Sequence, residues 1–202
     1  MSEESIHFRR RMAPENEIGV QLGTTIDLAS CPDLAIWVTV GAVYSGGFQF
    51  TVEVRVRNGR SVDGRAVDLG EALHGHRRRD ASLLFGVEFV DGRNVATVVS
   101  RSGVPATDDD PLVLMHAGGG SGDTSGSMSW FLSPLPPSGP LTFRCAWPEA
   151  GLEEVSAVLE AADILAAAER VRQLWPLQPT PPPPTIEDES RPILPGWFAQ
   201  FG

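Results

Sequence analysis

Two stretches of this chain hold side chains whose types and spacing could do chemistry. His74-Gly-His76, followed by Arg77, Arg78 and Arg79, sets two imidazoles beside three guanidinium groups. Further on, His116 precedes Ala-Gly-Gly-Gly-Ser-Gly-Asp, a run whose backbone N–H groups are barely shielded by side chains. Imidazole can act as a base or a metal ligand near neutral pH. Guanidinium groups recognise carboxylates and phosphates. Bare glycine backbone can cradle an anion.

Each of these chemistries asks for more than the sequence supplies. A zinc centre takes three or four ligands. No Cys-x-x-Cys or His-x-x-x-His accompanies His74 and His76, and Cys31 and Cys145 lie far away. The His116 run is superficially similar to the oxyanion loop of esterases. That mechanism also needs a Gly-x-Ser-x-Gly elbow, and no serine here has both flanking glycines. A phosphate loop feeds a helix N-terminus, whereas this one leads into a strand pattern. Asp108-Asp109-Asp110 lacks the alternation of a calcium loop. The expectation is therefore no catalytic residue, no metal ligand and no cofactor. An enzyme using His74, His76 or His116 as base ranks last among the readings.

Charge narrows the partners. The formal net charge is -10, and a nucleic-acid binder needs a basic face. All sixteen positive residues are arginines, which excludes a Walker lysine, a Schiff-base lysine and a Ser-Lys dyad. The first residues, MSEESIHFRRRMAPENE, contain no apolar signal core, and a flexible arm is expected over 1–16 with the basic run Arg9, Arg10 and Arg11 inside it. No run of 18 apolar residues occurs, so a membrane span is not expected. These features suggest a cytoplasmic protein with reduced thiols.

Period-two alternation dominates the elements that must position those residues. Phe48, Phe50, Val52, Val54 and Val56 point one way, while Gln49, Thr51, Glu53, Arg55 and Arg57 point the other. Similar runs start at Ile18, Ile36, Leu83, Val95, Leu112, Met128, Leu141 and Val155. Ser45-Gly46-Gly47 and Asp91-Gly92-Arg93-Asn94 are hairpin signals. Residues 58–81 lose the alternation and form a long connection with a short helical turn near Leu69–Leu73. Residues 118–127 read as a glycine-serine loop. Trp130, Phe143, Cys145 and Trp147 are assigned to the core. With no βαβ alternation, about nine strands predict an all-β fold: an antiparallel β-sandwich, Ig-like or jelly-roll-like, over 17–160.

The period then changes. Ile164, Ala167, Ala168, Val171, Leu174 and Trp175 fall at helical spacing, so an amphipathic helix is expected over 163–175, capped by Asp163 and stopped by Pro176. The sandwich with its helix fills 17–176. A tail over 177–202 carries four prolines at 181–184, an acidic stretch with Glu187, Asp188 and Glu189, and an aromatic end with Trp197, Phe198 and Phe201. Four prolines favour an extended polyproline II segment.

The run from Trp130 through SPLPPSGPLTFRCAWPEAGL, with Leu174-Trp175-Pro176 further on, resembles a group of small bacterial proteins, mainly from high-GC actinobacteria. That resemblance implies a folded bacterial domain and carries no activity or catalytic residue.

The preferred functional expectation is a non-catalytic protein-interaction module. Its partner-binding residues are Trp197, Phe198 and Phe201 in the tail and Arg77, Arg78 and Arg79 in the loop, with an open edge strand as a second route. The partner is a protein or a second copy, with no nucleic acid and no membrane. The alternative is a small-ligand or carbohydrate-type binding sandwich using loops 58–81 and 118–127, with His74, His76 and His116 as ligand-binding residues.

Overall fold

The computed structural model describes residues 12–57, 61–74, 82–97 and 112–176. The alternating runs become strands with one buried and one wet face. The order is β1 (Glu17–Ile18), β2 (Val20–Ser30), β3 (Leu34–Tyr44), β4 (Gly47–Val56), β5 (Ser61–Val62) and β6 (Arg65–Ala66). Helix α1 (Leu69–His74) follows, then β7 (Leu84–Phe89), β8 (Asn94–Ala96), β9 (Val113–Ser121), β10 (Ser125–Ser133), β11 (Pro140–Trp147) and β12 (Leu152–Glu160). Helix α2 (Ala162–Ala168) and β13 (Arg172–Gln173) complete the order.

Nine of these strands form the expected antiparallel sandwich. One sheet is ordered β2-β3-β4-β10-β9 and the other β12-β11-β7-β8. β12 lies against β2 and β8 against β9, so the two orders run the same way across the sandwich. The inner faces meet through aromatic rings. Phe50 of β4 stands 5.5 Å from Phe85 of β7 and 5.4 Å from Phe143 of β11. Phe143, Trp147, Leu132 and Val52 are fully buried beside them. Each such side chain contributes about 1.5–3 kcal/mol of transfer free energy. Register follows from the pattern: Phe50 pairs with Trp130 and Val52 with Met128 on the inner face. Thr51 pairs with Ser129 outside, their hydroxyls 2.9 Å apart. A one-residue slip would exchange these faces.

The Ser45-Gly46 hairpin joins β3 to β4, and Gly47 is required there. A Cβ on it would stand 2.2 Å from the Leu132 carbonyl oxygen.

Two expected elements differ. Residues 118–127 are not a loop: β9 continues to Ser121 and β10 starts at Ser125, leaving a turn at 122–124. Glycine disfavours strands on average, but here ladder bonding to β10 and packing under α1 override that bias. The predicted helix over 163–175 is shorter and ends at Ala168. Its N-cap is Ala161 rather than Asp163, with no side-chain cap bond. Ile164 and Ala167 bury the expected face. Beyond it, the N–H groups of Arg170 and Val171 bond the carbonyls of Ala167 and Ala168. The chain then pairs with the other end of the fold. Ile18 opposes Arg172 and Glu17 opposes Gln173. The Leu174 N–H donates to the Asn16 carbonyl at 2.8 Å, and Asn16 Nδ2 donates to the Trp175 carbonyl at 2.9 Å. Cross-strand bonds thus replace the last helical turns, and Asn16 is buried as part of the body.

Candidate functional site: a histidine-tryptophan cluster and an apolar corner

Helix α1 is held in place by its own first residues. Asp68 caps it, its Oδ1 accepting the Glu71 N–H at 3.0 Å and its carbonyl accepting the Ala72 N–H at 2.8 Å. Leu69, Ala72 and Leu73 are buried, and the helix packs on β9 and β10. Glycines make that approach close. A Cβ on Gly126 would stand 2.3 Å from Leu73 Cδ1, and one on Gly119 would stand 2.9 Å from His74 Cε1. The glycine run therefore acts as a seat for a helix.

His74, the last residue of α1, comes to His116 of β9, their ring centroids 6.3 Å apart and edge-on. His116 lies opposite Trp130 in the β9–β10 register, its ring 5.1 Å from the indole. His116 is exposed at the rim and Trp130 is 8% exposed. Trp130 Nε1 and His74 Nε2 are both buried without a hydrogen-bond partner. The Leu83 N–H bonds the Ala72 carbonyl at 2.9 Å, which ties the start of the next strand run to α1.

Of the expected ligand-binding residues, the fold brings His74 and His116 together. His76, Arg77, Arg78 and Arg79 lie outside the described residues, as do Trp197, Phe198 and Phe201. Trp130 belongs to the core as expected, yet it is also the third member of the cluster. Its pairing with His116 depends on a bulge between Ser129 and Trp130 that alternation alone does not reveal. Among the described residues no three His, Cys, Asp or Glu side chains are grouped to hold a metal ion. The Cys145 thiol is pushed up to about 12 by burial, which makes it a poor nucleophile. Cys31 is exposed and is not bonded to it. On the outer face Trp37 has the Arg55 guanidinium 5.1 Å over its ring.

A second feature lies at the β1–β13 ribbon. Ile18 of β1 and Leu174 and Trp175, which directly follow β13, are 44%, 40% and 52% exposed. The Asn16 bonds fix this apolar corner in place, next to the point where the tail begins. No helix among the described residues is long and apolar enough to cross a membrane.

No family model, curated protein or solved structure matches the chain.

Proposed function

We propose that the protein is a non-catalytic, cytoplasmic interaction module that self-associates through its C-terminal tail. The observation that supports this reading is the apolar corner. Large apolar side chains on a rigid ribbon tend to mark contact surfaces when they cluster. Ile18, Leu174 and Trp175 are each exposed at or beside this ribbon, and Leu174 and Trp175 lie within a few residues of the tail's start. The occupant with matching chemistry is the tail's own aromatic end, Trp197, Phe198 and Phe201. Four prolines at 181–184 favour an extended spacer of about 12 Å between the body and that end. A patch this small supports a weak, concentration-dependent association.

Deleting 177–202 tests the reading by sedimentation velocity over a concentration series. The full chain is expected to associate and the deletion to stay monomeric. Unchanged oligomeric state and unchanged co-purifying partners would rule out the tail as the binding element.

A further inference from the structure

Two buried nitrogens without partners fall in one cluster of three rings. Trp130 is more than nine-tenths buried, and its Nε1–H meets no acceptor. His74 Nε2 is also buried and unpartnered. His116 lies between the two rings and reaches the surface. Buried polar groups are normally paired, with protein groups or with ordered water, so two orphans in one cluster call for a partner.

We propose that His74, His116 and Trp130 form a binding site for a small carboxylate-bearing molecule, reached from the exposed side at His116. The donor set selects the ligand. An indole N–H can only donate, and an imidazole offers one N–H when neutral and two when charged. What answers this set is an acceptor with more than one oxygen. A carboxylate accepts at both oxygens and gains charge-assisted bonds from an imidazolium. Two imidazoles alone leave a zinc site short of ligands, and a metal would leave the Trp130 N–H unmet. The site is independent of the apolar corner and of the tail.

The test is proton–nitrogen NMR on the full chain, with the Trp130 indole resonance assigned from Trp130→Phe. Sodium acetate is titrated against sodium chloride at equal ionic strength, and acetamide serves as the neutral isostere. The Trp130 indole proton is expected to move downfield and saturate with acetate, while the other indoles follow the chloride control. His74→Gln and His116→Gln should each weaken the acetate response by about tenfold, with well-dispersed spectra showing that both variants fold. His116 is exposed, so its replacement removes no buried side chain. A Trp130 indole that follows chloride in every titration would overturn the proposal, leaving water as the partner of both nitrogens. Equal saturation by acetamide would overturn the carboxylate assignment.

Discussion

Replacing Gly119 with alanine tests whether the glycine run is a seat for α1 or a stretch without structural demand. A Cβ at this position would stand 2.4 Å from the Ser127 carbonyl oxygen, 3.2 Å from Met128 Cα and 2.9 Å from His74 Cε1. The first two atoms are backbone of β10, held in the ladder by pairing of Gly119 with Met128 and Gly120 with Ser127. They move only if the ladder opens, so the methyl must displace both strand and helix. Forced overpacking of this kind costs about 1–3 kcal/mol. For a chain of this size that corresponds to a fall in Tm of about 2–12 °C. The neighbouring residue supplies the control. Nothing lies within 4 Å of a Cβ on Gly120, so Gly120→Ala should be neutral or stabilising by about 0.4–1 kcal/mol. Urea melts of both variants give the comparison, and the His74 and Trp130 ring resonances should shift in Gly119→Ala alone. Equal midpoints for the two variants would refute the seating argument.

Core and thiol provide two further expectations. Trp147→Ala should cost about 3–5 kcal/mol in urea melts, since the side chain is fully buried between the sheets; a midpoint equal to the parent's would remove Trp147 from the core. Cys145 gives a pH dependence. Burial raises its folded-state value from 9.0 to about 12, so the unfolded chain loses this proton first as pH rises. The contribution of this group is fully present below pH 9 and is lost between 9 and about 12. Cys145→Ala should flatten the fall in stability over that window, and an unchanged slope would contradict the assignment. At neutral pH the exposed Cys31 should react with a thiol reagent in the native protein, while Cys145 reacts only after unfolding.

The sandwich was legible because period-two alternation is a strong signal where one face is buried. Phe48 to Val56 and Leu141 to Trp147 show it without interruption, and both are core strands. The hairpins at Ser45-Gly46 and Asp91-Gly92 were equally readable from turn chemistry. The β9–β10 hairpin is not legible in the sequence because glycine carries no hydrophobic pattern. Its strand state depends on ladder bonds and on a helix from elsewhere in the chain. Sequence spacing overextends the helix over 163–175 because Val171, Leu174 and Trp175 continue a helical period, while the Asn16 bonds that redirect the chain reach across 158 and 159 residues. The cluster was half legible. His74 and His116 could be picked out as residue types, but their meeting requires the fold, and Trp130 carries no mark separating it from an ordinary core tryptophan.

The central claim is that the aromatic tail of one copy docks on the apolar corner of another. The most direct measurement places a photo-crosslinking phenylalanine analogue at Trp175 in the full chain and maps the captured peptide by mass spectrometry. Mixing isotopically light and heavy copies separates capture within a chain from capture between chains. The account predicts mixed-isotope crosslinks from position 175 to the segment holding Trp197, Phe198 and Phe201. Crosslinks confined to other regions, or no capture of that segment at any protein concentration, would contradict it.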